Sequence, residues 1–289
     1  MKREGTTRRG FLKSAILSGA AFGAAGHLSL AEDGKSQTAP EPHAKVPRKP
    51  LGSTGESIPI LLMGCAQRFD PKYDKILHRA FKEGVDYLDT ALVYENGQSH
   101  KTIAPFLKQI GDRKKIWITS KGPSQNATVE SYTKNLDTCL EQLETDHLDL
   151  YFMHFVHDLK YLEPEYIKMG ERLKKSGKTR FFGFSCHHGN VVELMNKAAQ
   201  TGGIDAIMFR YNFAKYGDLA LNKAIDNCKK AGIGLIAMKT QDSVPKEQEE
   251  VVGFRSKDFT LGQAKLKAVW ADERIDSAVS HIDNTKRLA

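Results

Sequence analysis

Four side chains of the kind that move protons stand at the ends of short apolar runs: Asp89, Tyr94, Lys121 and His154. Asp89 closes the run Tyr87–Asp89, and Tyr94 lies five residues further on. Lys121 follows Ile116–Ser120, and His154 closes Leu148–His154. A carboxylate, a phenol, an ammonium and an imidazole can each give, take or stabilise a proton at a reacting centre. A lone Lys or His at such a place is more often solvated or structural. Four such groups from three successive runs are hard to assign to packing. The next run, Arg180–Ser185, ends in Ser185 and is followed by Cys186, His187 and His188. With Cys65 these could gather soft metal ligands. Adjacent loop histidines seldom point the same way, so the expectation is no metal site and solvated or substrate-lining histidines.

Whatever positions these groups must bring strand ends together. Apolar runs recur at Ile58–Gly64, Tyr87–Asp89, Ile116–Ser120, Leu148–His154, Arg180–Ser185, Ala206–Phe209, Gly234–Met238 and Ser277–Ser280. Helical patterns separate them. Tyr132, Leu136, Cys139, Leu140 and Leu143 share one face, as do Val191, Leu194, Met195 and Ala198, with Asn190 placed to cap the second helix. Eight strands at roughly 30-residue spacing predict an α/β fold, a parallel (β/α)8 TIM barrel of about 250 residues. An open doubly wound sheet is the competing reading, but no GxGxxG follows the first strand. Lys49–Pro59, with Gly52 and Gly55 at turn positions, reads as a β-hairpin closing the barrel floor. In such a barrel the chemistry belongs at the carboxyl ends of the strands, where the four groups stand.

Composition permits this and excludes other classes. The chain has 289 residues, 40% hydrophobic and 27% charged, and its mean hydropathy is −0.45. These values argue against a polytopic membrane protein and against wholesale disorder. Of the formal charge of +8, residues 1–31 carry +4, and the remainder holds no basic run longer than three, so no nucleic-acid partner is expected. Four cysteines without a CxxC pair, Cys65, Cys139, Cys186 and Cys228, read as free thiols.

The first residues read as an address. Arg8-Arg9-Gly10-Phe11-Leu12-Lys13 precedes an apolar stretch from Ser14 to Leu30, and Ser29-Leu30-Ala31 offers a cleavage site after Ala31. The Arg pair resembles a bacterial twin-arginine signal, which implies the export machinery as a partner and a periplasmic or otherwise exported mature chain. The stretch is too short to span a bilayer, so membrane contact is expected only during export. Residues 32–48 read as a linker, and 49–289 as the barrel.

Over residues 49–289 the chain resembles the aldo-keto reductase family. The resemblance rests on Gly84–Tyr94 (GVDYLDTALVY), Ile118–Lys121, Leu148–His154 and Gly183–Ser185. It implies an NAD(P)H-dependent oxidoreductase reducing a small carbonyl compound, with Tyr94 as proton donor assisted by Asp89, Lys121 and His154. On that reading Lys121 lowers the phenol's pKa, Asp89 keeps Lys121 charged, and His154 orients the substrate oxygen. It also implies that Ser185 holds the cofactor carboxamide, that Met238 packs on the nicotinamide, and that Asn284 and Arg287 lie in the phosphate-binding segment. Arg287 favours NADPH over NADH. The sequence departs from the pattern at Cys186, where the family has Asn, at Met208, where it has Gln, and at His281, where it has Lys. These departures leave an alternative open, an exported cofactor-binding scaffold or sensor without turnover. The family continues past this point with a closing helix; the chain stops at Ala289, so either it is a fragment or that helix is absent.

Overall fold

Eight strands pair in the closed order β10-β3-β4-β5-β6-β7-β8-β9 in the computed structural model, and every neighbouring pair is parallel. They are β3 (Leu61–Gly64), β4 (Tyr87–Asp89), β5 (Trp117–Pro123), β6 (Leu148–His154), β7 (Thr179–Cys186), β8 (Ala206–Arg210), β9 (Gly234–Met238) and β10 (Ser277–His281). The structure describes residues 45–123, 126–241 and 259–285. The barrel lies in the unit Ala44–Ala289. The signal and most of the linker expected from sequence fall outside the described residues. So do Arg287 and nearly all of the loop after Gln241.

Helices α1 (Lys75–Lys82), α2 (Gln98–Ile110), α3 (Val129–Leu143), α4 (Pro164–Lys175), α5 (Val191–Thr201), α6 (Leu219–Lys230) and α7 (Leu261–Trp270) alternate with the strands. α3 buries Tyr132, Leu136, Cys139 and Leu143 along one face, and Thr128 and Ser131 cap each other at its start. α5 buries Leu194, Met195 and Ala198. Asn190 takes the N-cap position of α5, as expected, but its side chain makes no capping bond. Its backbone is not extended, as a capping residue's usually is, and its Nδ2 donates instead to His157 O at 2.7 Å.

Alternate strand residues fill the barrel interior. Leu62, Tyr87, Trp117, Leu150, Phe152, Ala206, Met208, Ile236 and Met238 form this inner core, while Phe182, Phe184, Ile207 and Phe209 face the helices. The period of two then puts Asp89, Lys121, His154 and Ser185 on the inward face at the carboxyl ends. Beneath them the ring of Trp117 stacks between Tyr87 and Phe181, at centroid distances of 5.3 and 5.7 Å.

The amino end is closed by β1 (Arg48–Pro50) and β2 (Ser57–Pro59), an antiparallel hairpin. Leu51 and Ile58 plug the interior, and Gly52 N donates to Asp276 Oδ2 at 3.0 Å. The run read as one strand, Ile58–Gly64, is therefore two. β2 pairs with β1, and after Ile60 the chain turns to pair with β10 and β4. A continuous apolar run does not reveal a change of partner.

Candidate active site

β5 does not end at Ser120 but continues through Lys121 and Gly122, with Lys121 in register with Phe152 of β6. Gly122 makes this possible, because a Cβ there would collide with the Tyr151 hydroxyl, which donates to Tyr132 O at 3.0 Å. Lys121 is thus held by the β6 ladder on one side and, on the other, by Leu92 N, which donates to its carbonyl at 3.1 Å, and it points into the barrel mouth.

Its ammonium has three neighbours. Nζ lies 2.7 Å from Asp89 Oδ1, donates to Thr90 O at 2.8 Å, and stands 3.5 Å from Tyr94 Oη. The side chains of Lys121 and Asp89 are 1% and 4% exposed. Burial works against the ammonium, but Asp89 and Tyr94 together hold its pKa above the ordinary lysine value, so it stays charged. The 2.7 Å contact is an ion pair; the aligned hydrogen bond goes to Thr90.

Tyr94 follows β4 on a turn of unusual backbone. Glu95, Asn96 and Gly97 all lie in the left-handed region, at φ 51°, 55° and 81°. Two of the three are not glycine, and such strain persists only where surrounding contacts over-determine it. Burial raises the Tyr94 pKa, Lys121 pulls it down, and burial wins. The expected lowering is corrected here: Lys121 limits a rise caused by desolvation and does not produce a net fall.

His154 completes the group. Its ring meets Tyr94 edge-on, centroids 5.7 Å apart at 80°. The residue is 1% exposed, and among the described residues neither ring nitrogen has a hydrogen-bond partner. Burial, the Lys121 charge and His187 depress its pKa to about 2, so the imidazole is neutral. Phe155, at φ 58°, stacks on it at 3.9 Å and donates its backbone N–H to Ser185 Oγ at 3.2 Å.

The family model for the Aldo/keto reductase family matches residues 66–243. The chain belongs to that family. It is similar to L-galactose dehydrogenase of Arabidopsis thaliana, 25% identical over 209 residues, 67% of this chain and 65% of that protein. It is also similar to glyoxal reductase of Bacillus subtilis, 30% identical over 162 residues, 55% of this chain and 54% of that protein. The chain thus spans less than two thirds of either relative's length. In three dimensions it superposes on aldo-keto reductase AKR11C1 from Bacillus halodurans with a TM-score of 0.68 at 20% identity, over 85% of this chain and 89% of that one. That likeness carries the fold.

Within this aldo-keto reductase barrel, Asp89, Tyr94, Lys121 and His154 meet at one mouth. Ser185 is the penultimate residue of β7, on the inward face, and Met238 ends β9 in the inner core. Met208 is likewise buried in the interior, where an amide is expected from the family pattern. Asn284 lies beyond β10 with its Nδ2 bonded to Asp283 Oδ1 at 2.7 Å. Arg287 is outside the described residues. Cys186 and Cys65 are buried thiols; Cys65 Sγ donates to Met63 O at 3.3 Å, and Cys186 Sγ lies 3.9 Å from His188 O. The sequence reading missed Thr90, Phe155, Ser99 and His100. The one available signal for the last two was a polar pair in the first turn of a helix that follows glycine.

Proposed function

We propose that the chain reduces an aldehyde or ketone to the alcohol with NADPH as reductant and Tyr94 as proton donor. The observation that carries this reading is His154: buried, neutral and, among the described residues, without a partner on either ring nitrogen, beside the Tyr94 ring. Buried polar groups in folded proteins are almost always hydrogen-bonded. A carbonyl oxygen arriving between His154 and Tyr94 would complete the bonding of both, so these residues fit a substrate poised for reduction.

NADPH, when bound, supplies the hydride that reaches the carbonyl carbon. The chain's own groups manage the oxygen. The neutral imidazole donates an N–H to it and fixes its direction. The Tyr94 O–H gives it the proton. As that proton leaves, negative charge grows on Oη, 3.5 Å from the Lys121 ammonium, which stabilises it. Asp89 keeps Lys121 ionised where little water reaches.

Ser185 would hold the carboxamide end of the cofactor. Its Oγ already accepts from Phe155 N, which leaves the hydroxyl proton free to donate. Met238 would wall the nicotinamide, and Asn284 and Arg287 would face the phosphates, with Arg287 favouring NADPH over NADH. Cys186 and Met208 offer no amide, so weaker cofactor affinity follows. The carbonyl substrate is a small molecule, and the glyoxal reductase relative makes a small dicarbonyl the first to test. Export through the twin-arginine machinery, with cleavage near Ala31, is part of the same proposal; its support is the Arg8-Arg9 motif and the apolar stretch behind it.

The test is a titration of purified protein with NADPH followed by a panel of aldehydes, dicarbonyls and ketones. Saturable binding and carbonyl-dependent loss of NADPH absorbance are expected. Binding without turnover across the panel would favour the scaffold reading, and no binding would overturn the cofactor assignment.

A further inference from the structure

The first turn of α2 carries two fully buried polar side chains, Ser99 and His100, in a helix whose N-cap, Gly97, has no side chain to offer. Ser99 Oγ donates to Cys65 O at 2.6 Å and lies 2.8 Å from Thr90 Oγ1, which then donates to it. Thr90 is the residue whose carbonyl accepts from Lys121. His100 reaches the other side of the same lysine: its Nε2 is 2.8 Å from Oγ of Ser120, the residue before Lys121 on β5. Its Nδ1 is 2.9 Å from Gln142 Oε1 of α3. Gln142 in turn packs on the strained turn, since a Cβ on Gly97 would lie 3.2 Å from its amide.

The proton positions follow from the partners. Gln142 Oε1 can only accept, so Nδ1 carries the hydrogen, and the bare Nε2 accepts from the Ser120 hydroxyl. Burial depresses the His100 pKa to about 4, which keeps this neutral form at neutral pH. An apolar residue would fill the space between α2 and β5 without any need for matched partners. A satisfied polar pair instead fixes one relative position.

We propose that Ser99 and His100 are positioning residues: they clamp the start of α2 to the two residues flanking the lysine site, Thr90 and Ser120, and so set the separation of Tyr94 from Lys121. This rests on reading Tyr94 as the proton donor. Neither residue touches substrate. A displacement of about 1 Å at a reacting group can cost on the order of a hundredfold in rate.

The variants are His100→Ala, His100→Gln and Ser120→Ala, with Tyr94 also followed by NMR of ring-labelled tyrosine and its resonance identified from Tyr94→Phe. In His100→Ala, kcat should fall about ten- to a hundredfold, with KM and NADPH affinity within about threefold. His100→Gln, which keeps one donor and one acceptor, should restore most of the rate. Adding Ser120→Ala to His100→Ala should cost little more, because both cut the same connection. The Tyr94 resonance should move in His100→Ala and return in His100→Gln. An unchanged kcat in folded His100→Ala, or kcat, KM and cofactor affinity falling together without rescue, would overturn the proposal. If His100→Ala does not fold, Ser120→Ala carries the same kcat and resonance tests. A wild type without turnover would sink the reductase reading alone; the resonance still decides the positioning, and an unmoved Tyr94 signal overturns it.

Discussion

The Lys121 ammonium and the Asp89 carboxylate meet at 2.7 Å where neither side chain is more than 4% exposed. Replacing a buried ion pair by packed apolar side chains is often neutral or stabilising, so stability is a poor reason to keep one. The pair stands at the mouth of the barrel, beside Tyr94 Oη. On the proposed mechanism its charge serves the phenol.

Stability and catalysis should therefore separate at this pair. Lys121→Met strands a buried carboxylate and should destabilise the fold by roughly 3–5 kcal/mol. Adding Asp89→Leu removes the stranded charge and should recover most of that loss without restoring carbonyl reduction. Urea unfolding and NADPH oxidation on the two variants check both halves. Turnover in the stable double variant would mean the ion pair is structural.

The buried histidines give stability a pH dependence of known sign. His100 titrates near 4 in the folded protein, against about 6.5 for an unperturbed histidine. Above the unfolded value it costs nothing. As pH falls from about 6.5 toward 4, the unfolded chain takes up a proton that the folded one refuses, and roughly 3 kcal/mol of stability is lost. His154 acts in the same direction over a window that reaches down to about 2. His100→Gln should flatten the slope between neutral pH and 4.5, read from urea midpoints at several pH values. An identical slope in variant and wild type would show that His100 is not buried as a neutral ring.

Much of this architecture is legible from the residue pattern, and the exceptions have causes. Asp89, His154 and Ser185 can be placed because each closes an apolar run. The Ile60 turn is hidden, since hairpin and barrel halves are equally apolar. The extension of β5 past Ser120 depends on Gly122 making room for Tyr151, a residue 29 positions away. The net pKa of Tyr94 is a balance of burial against one charge, and burial is not written in a motif. Ser99 and His100 have partners in Cys65, Ser120 and Gln142 that no local spacing announces.

Cofactor choice should turn on Arg287. A guanidinium on the 2′-phosphate makes charge-assisted bonds that NADH cannot return. Arg287→Ala should weaken NADPH by roughly 1.5–3 kcal/mol, about ten- to a hundredfold, and leave NADH nearly unchanged. Asp283→Asn should tighten NADPH slightly, less so at high salt. Fluorescence titrations with both cofactors check this; equal losses for the two would remove Arg287 from the phosphate site.

Export can be tested without assaying activity. Replacing Arg8 and Arg9 by Lys preserves charge but not the receptor-read pair, so unprocessed precursor should remain in the cytoplasm. Fractionation and N-terminal sequencing of the mature chain report the outcome. Periplasmic, processed protein from the double variant would point to an ordinary signal.

The central claim is that Tyr94 gives the proton, and Tyr94→Phe tests it most directly, with NADPH binding and single-turnover carbonyl reduction measured on the same preparation. Phenylalanine keeps the ring beside His154 and removes only the O–H. Reduction should drop by about a hundredfold or more while NADPH affinity stays within about twofold. In the wild type the rate should fall only as pH rises past the ordinary tyrosine value, because burial lifts this phenol's pKa and the protonated form is the active acid. Undiminished reduction by Tyr94→Phe, with the cofactor bound as tightly as before, would contradict the account.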